Sequence, residues 1–250
     1  RLTTGEDRGA DAYAAAEVDM ALAGLAADES HPRAQTLLEL SSELDMAAKS
    51  TVATRRALSL WRREGVVVFP KLLNRVALKA LREVALRVLD TGTAVDRTAN
   101  IRATANRTLR ALPIAEDGAT RALQALSTAL GPFLSRALMD PRELVLELAV
   151  MQATSGAIAQ GWHRDDGVLD RRTASLQIAL VDTLADQGAL EVQPGTHLHS
   201  ERPDDHAHSV TIAAKAGTVT VYSPNVVHRG RANTLETARL TVTLTLMGAS

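Results

Sequence analysis

His163, Asp165, His228 and Arg239 are the residues of this 250-residue chain whose types and order could do chemistry together. In His163-Arg164-Asp165 an imidazole and a carboxylate stand two residues apart. In an extended segment, side chains at that spacing project to the same face. Asp166 alternates to the opposite face, so Asp165 is the expected partner of His163. Two imidazoles and one carboxylate on one side of a ferrous ion leave coordination positions open for a cosubstrate and oxygen. An arginine set back from the metal suits the far carboxylate of a dicarboxylate, because guanidinium and carboxylate can pair through two parallel bonds. A His-x-Asp tripeptide is a common accident on its own. Its value comes from order, spacing and the elements around it.

Those elements change character along the chain. Residues 10–63 are Ala-rich, with Leu and Met at three- and four-residue spacings, and read as helical. Ser30-His31-Pro32 breaks that stretch, and Pro32 fits a first helical turn. Gly65-Val66-Val67-Val68-Phe69-Pro70 reads as a strand closed by proline. Residues 72–90 and 118–139 return to helical spacing, and the polar stretch 91–117 between them, with Arg102, Arg107 and Arg110, reads as a long binding loop or lid. From residue 143 onward short β-branched runs recur: 144–150, 175–181, 189–192, 210–212, 218–222 and 239–246. Short strands separated by Gly, Pro, Asn and Asp signals predict a sandwich or barrel. In the last run Leu240, Val242, Leu244 and Leu246 share one face, while Arg239, Thr241, Thr243 and Thr245 share the other. A double-sheet barrel would bury the leucines under helices and turn the threonines and Arg239 into a polar cavity. His228 falls at a strand end after Tyr222-Ser223-Pro224.

Composition narrows the partners. Hydrophobic residues make up 46% of the chain, enough for a sizeable core, yet the aromatics are only Tyr13, Trp61, Phe69, Phe133, Trp162 and Tyr222. No cysteine is present, which excludes disulfides, thiolate metal sites and cysteine nucleophiles. Residues 1–48 carry ten acids against Arg1, Arg8 and Arg33, a balance of −7 that leaves the rest near +6 out of a total of −1. A mildly basic body suits small anions. Dispersed arginines without a stacking platform argue against nucleic acid. No apolar run approaches the length that spans a bilayer. The start at Arg1 and the acidic first segment, opposite in charge to a transit peptide, lead to the expectation that any targeting segment has been removed. His197, His199, His206 and His208, among Glu201, Asp204 and Asp205, could form a second metal cluster, but Pro203 and the acid density favour an exposed loop.

In its motifs the chain resembles the phytanoyl-CoA dioxygenase family of Fe(II)- and 2-oxoglutarate-dependent oxygenases. Gly161-Trp162-His163-Arg164-Asp165 is similar to the first metal motif. The run Gly188 to Gln193, closing in Pro194-Gly195-Thr196-His197, resembles the stretch that ends in Pro-Gly-Ser/Thr-His. His228-Arg229-Gly230 with Asn233 looks like the second metal motif, and Arg239-Leu240-Thr241 stands where the family keeps its cosubstrate arginine. The resemblance runs over residues 55–246, loosely at 91–140, and leaves out the acidic arm. It implies a double-stranded β-helix (jelly roll) core; with the helical and strand-like runs read above, the expected chain is α+β, with that core at 55–250, a helical N-terminal half packed on it, and an acidic helical arm at 1–54. It implies iron at His163, Asp165 and His228, with 2-oxoglutarate on Arg239 and Thr241. Gln152 and Thr154 are further candidates for the cosubstrate pocket; Arg229 and Arg231 are competitors of Arg239. Halogenating relatives lack the metal carboxylate, so Asp165 points to hydroxylation.

The expected activity is hydroxylation of a small organic or acyl-type substrate with Fe(II), 2-oxoglutarate and O2, with ascorbate as supporting reductant. One alternative is an accessory subunit that keeps the fold and docks a larger complex through residues 1–48. Another is a cupin-like metal protein that uses no 2-oxoglutarate. A soluble protein of the cytoplasm or an organelle fits all three.

Overall fold

The computed structural model describes residues 51–91, 106–139, 143–165, 172–199 and 208–248. Most of the acidic arm, and the stretch 92–105, lie outside these residues. Among the described residues three helices and nine strands follow one another: α1 (Thr51–Glu64), β1 (Val66–Phe69), α2 (Arg75–Thr91), β2 (Arg107–Ala111), α3 (Asp117–Ala137), β3 (Glu143–Ala153), β4 (Thr173–Ala179), β5 (Leu190–Gln193), β6 (Val210–Ile212), β7 (Val219–Tyr222), β8 (Val227–Gly230) and β9 (Arg239–Gly248). A single turn of 3-10 helix, Thr196–Leu198, lies between β5 and β6.

The strands form two antiparallel sheets, one of six strands in the order β1-β7-β4-β9-β3-β2 and one of three in the order β6-β5-β8. Alternation sorts the large sheet into two faces. Val67, Leu148, Val150, Leu176, Ile178, Val219, Val221, Leu240, Val242 and Leu244 join Leu81, Leu126, Leu130 and Phe133 of the helices in one core. Trp61, Phe69 and Phe133 meet edge to face at this layer, with ring centres 6.1 and 5.4 Å apart. The opposite face of the large sheet meets the small sheet. There Val66, Val68 and Tyr222 pack against Leu190, Val192, Val210, Ile212 and Val226. Helices therefore cover one side of the large sheet and leave the other to enclose a site.

The expected alternation of β9 is present: its leucines are in the helix-side core, and Thr241 and Thr243 are buried on the inner side. The reading of 91–117 as one long loop needs correction. Arg107–Ala111 is an edge strand that pairs in antiparallel register with β3, Arg107 opposite Ala153. The register of β3 shifts between Val145 and Glu147, where its ladder with β9 takes in an extra residue. Among the described residues no helix is long and apolar enough to cross a membrane.

Candidate metal and cosubstrate site

The segment that carries His163 and Asp165 follows β3 and is not a regular strand. It is stitched to β8 and the end of β7 by backbone bonds. Gln160 N donates to Gly230 O at 2.9 Å, His163 and His228 exchange bonds of 3.0 and 2.9 Å, and Asp165 N donates to Pro224 O at 2.9 Å. The Gln160 side chain accepts from Gly230 N at 2.7 Å. His163 and His228 are thus direct cross-chain partners, with ring centres 4.4 Å apart. A neighbouring turn secures β8 from its other end. The Thr196 hydroxyl donates to Gln193 O at 2.7 Å and accepts from Val227 N at 2.9 Å. Arg164, pointing away from its two neighbours, donates to Thr196 O and His199 O at 3.1 and 3.0 Å. Gly65, at φ +70, closes α1 against this turn; a Cβ there would stand 2.5 Å from His197 Nδ1 and from a Val226 methyl. The Pro-Gly-Thr-His run is the clamp on the histidine strand.

His163 Nε2 lies 3.9 Å from Asp165 Oδ1, and His228 Nε2 lies 3.5 Å from Asp165 Oδ2. One donor atom from each of the three residues lies within 4.8 Å of the other two, and among the described residues this is the one such group of His and carboxylate side chains. The tautomers follow from the backbone. His163 Nδ1 is 2.9 Å from Gly161 O, and His228 Nδ1 is 2.8 Å from Val226 O. A carbonyl only accepts, so each Nδ1 carries the proton and each Nε2 keeps its lone pair toward Asp165. Two imidazole lone pairs and a carboxylate facing one point fit a divalent metal. The second histidine cluster does not come together within the described residues, and residues 200–207 fall outside them.

Arg239 opens β9 and is buried, with 2% of its surface exposed. Its Nη1 donates to Gly188 O at 2.6 Å, while Nη2 meets no acceptor among the described residues. Burial lowers its pKa to about 9; the nearby Arg107 guanidinium lowers it as well, and Tyr222 acts the other way. The Thr241 and Thr243 hydroxyls on the same face are also buried without partners. Two adjoining cavities meet at Arg239. One is lined by the triad with Met151, Gln160, Gln177, Leu190, Tyr222 and Thr243. The other continues past Gln177 and Arg239 to Thr241, Thr218, Thr220 and Thr183. Metal donors and guanidinium therefore share one enclosed space.

The structure places the remaining candidates elsewhere. Gln152 stands opposite Leu240 in register, on the face away from Met151, and so turns from the cavity. The Thr154 hydroxyl is held by Asn106 O at 3.2 Å. Arg229 is paired with Glu191 at 2.7 Å beneath the Trp162 ring, and Arg231 is paired with Glu191 and Asp186. Neither competes with Arg239. A larger open groove between α2 and the start of α3 is lined by exposed charges such as Glu83, Arg87 and Arg121, far in sequence and fold from this chemistry.

Sequence reasoning missed two residues that line the site and one charge near it. Arg107 is buried, donates to Ile158 O and Arg231 O at 3.1 and 3.0 Å, and keeps Nε and Nη1 without acceptors; burial lowers its pKa too. Gln177 and Tyr222 line the metal cavity. Alternation could have found the last two, since Leu176, Ile178, Val219 and Val221 mark the opposite face. No signal in the sequence distinguished Arg107 from Arg110 of the same strand, which is only half-buried.

Comparison with known proteins agrees with this geometry. No curated protein matches the chain. Among solved structures it is similar to the non-heme alpha-ketoglutarate-dependent epimerase SnoN of nogalamycin biosynthesis, 22% identical over 80% of this chain and 84% of that one, TM-score 0.67. It is similar to the carbocyclase SnoK of the same biosynthesis, 18% identical over 81% and 86%, TM-score 0.65. EctD from S. alaskensis, solved with 2-oxoglutarate and 5-hydroxyectoine, is 20% identical over 78% and 75%, TM-score 0.63. At such identities the likeness is one of fold. Residues 61–240, a span holding the triad, Arg107 and Arg239, match the family described as phytanoyl-CoA dioxygenase (PhyH). The chain belongs to the phytanoyl-CoA dioxygenase family of non-haem iron, 2-oxoglutarate-dependent enzymes.

Proposed function

We propose that this protein is an Fe(II)- and 2-oxoglutarate-dependent dioxygenase that hydroxylates a small organic or acyl-type molecule. The observation that carries the reading is the meeting of a two-histidine, one-carboxylate donor set with a buried, incompletely paired arginine in one enclosed space. The two antiparallel sheets are read as the double-stranded β-helix of this family.

His163 Nε2, His228 Nε2 and an oxygen of Asp165 hold the iron. Arg239 takes the far carboxylate of 2-oxoglutarate, and the Thr241 hydroxyl donates to it from the same face. The nearby Arg107 guanidinium adds a second positive charge to the region, which favours an anion. Gln177, like Arg239, lines both cavities. Bound iron with 2-oxoglutarate supplies the oxidising power: O2 is divided between succinate, formed with carbon dioxide, and the hydroxyl of the product. The chain's own part is to place these groups and to exclude water from a site floored by a packed sheet. Asp165 completes the ligand set and favours hydroxylation over halogenation.

The test is turnover of the purified protein with Fe(II), ascorbate and 2-oxoglutarate. Succinate should form, and a processed substrate should gain one oxygen atom. The metal-to-ligand charge-transfer band of bound 2-oxoglutarate should appear before oxygen is admitted; its absence refutes the reading. A product of unchanged mass or one lacking two hydrogens would keep the cofactors and refute hydroxylation.

A further inference from the structure

We propose that Tyr222 is a positioning residue of the metal centre, its hydroxyl holding the Asp165 carboxylate while its ring holds the His228 imidazole. The inference rests on the reading of His163, Asp165 and His228 as metal ligands.

Tyr222 is the last residue of β7, and alternation turns it inward while Val219 and Val221 enter the helix-side core. It is buried, with 3% of its surface exposed, and lines the same cavity as the triad. Its hydroxyl lies 3.5 Å from Asp165 Oδ2, and its ring centre lies 4.9 Å from that of His228 at a tilt of 58°. The same Oδ2 is 3.5 Å from His228 Nε2. One side chain thus touches two of the three donors.

Asp165 needs such a hold. His228 sits in β8, but Asp165 lies in no strand; its amide donates to Pro224 O at 2.9 Å. Pro224 closely follows Tyr222, so the end of β7 and the Asp165 segment are kept side by side. A carboxylate on an irregular segment can turn about its side-chain torsions. A phenol donating to one oxygen limits that rotation and leaves the other oxygen presented. The ring, stacked at a tilt on His228, limits rotation of the second ligand.

Packing alone does not call for the hydroxyl. The small-sheet cluster around Tyr222 is Val66, Val68, Leu190, Val192, Val210, Ile212 and Val226, which a phenylalanine would satisfy equally. The oxygen is the part that reaches the metal donors.

The experiment compares the ligand-free protein and its Tyr222→Phe variant for binding of Co(II), whose visible absorption reports its coordination. Outer partners of metal ligands are typically worth ~10-fold or more in affinity. Tyr222→Phe should weaken Co(II) binding by about tenfold and shift its absorption bands, with the melting temperature of the ligand-free protein unchanged. Equal affinity and an identical spectrum refute the role of Tyr222. Wild-type protein that takes up no Co(II) refutes the metal centre itself. Should the Phe variant lose stability, the wild-type hydroxyl can be read directly. The chain has two tyrosines, so Tyr13→Phe leaves Tyr222 alone in the ultraviolet Raman spectrum. Its ring modes should show a hydrogen-bond donor that is lost in Asp165→Ala, and a signature indifferent to Asp165 overturns the proposal.

Discussion

Replacing Arg239 by methionine should move cosubstrate affinity and ligand-free stability in opposite directions. The guanidinium is buried, satisfies Gly188 O with Nη1 and has no acceptor for Nη2. Deleting one member of a buried, hydrogen-bonded charge pair costs about 2–5 kcal/mol of binding. At 1.4 kcal/mol per tenfold, that is a loss of roughly 30-fold to several-thousand-fold in 2-oxoglutarate affinity. Without the dicarboxylate the balance reverses. Removing the charge relieves an uncompensated burial that costs several kcal/mol, whereas leaving Gly188 O without a donor costs about 1–3 kcal/mol. The charge term is the larger, so ligand-free Arg239→Met should melt no lower than the wild type, and should gain nothing when 2-oxoglutarate is added. The assay is anaerobic titration of the charge-transfer band, beside melting curves with and without the dicarboxylate. Binding within threefold of the wild type would refute the assignment. Loss of iron binding in the same variant would show that Arg239 serves the triad instead.

Dicarboxylate binding should be flat from about pH 7 to pH 8, then weaken by up to tenfold per pH unit above about 9, where Arg239 sheds its proton. Ligand-free stability should rise from about pH 9 toward the ordinary guanidinium range, because there the unfolded chain binds the proton that the folded one has lost; titrations and melts across pH check both signs. Asp165→Ala should cut Fe(II) affinity at least ~100-fold by direct titration, with the fold intact by circular dichroism, since it removes a ligand rather than a ligand's partner. Gly65→Ala should destabilise by about 2–4 kcal/mol in urea unfolding, combining a left-handed backbone with a Cβ driven into His197 and Val226. An effect below ~0.5 kcal/mol there would show that the turn shifts freely.

The chemistry of this site was more legible than its walls. His163, Asp165, His228 and Arg239 stood out because few residue types suit iron or a dicarboxylate, and the structure brings the four to one cavity; the alternation of β9 already showed which face Arg239 and Thr241 occupy. Arg107 was hidden because Arg107-Thr108-Leu109-Arg110-Ala111 lacks a β-branched run; it is a strand because β3 offers it an edge. A partner of that kind leaves no mark in the strand's own residues. Gln152 misled for a related reason. It is polar and next to the metal motif, but a strand's faces are set by register, and the register places it opposite Leu240. The segment at His163 was expected to be extended; it forms no regular strand, but an isolated bridge with His228 and flanking bonds to Gly230 and Pro224 hold it extended against β8.

The two halves of this site belong to different dynamic regimes. Thr241 and Thr243 hang from β9, whose other face is locked in the helix-side core between β3 and β4. Their amides can meet deuterium only when the whole domain opens. His163 is held to its partner strand by two bonds of an isolated bridge, so its amide exchanges through a small local opening. Hydrogen exchange should divide the cavity into a slow floor at Thr241 and Thr243 and a fast rim at His163.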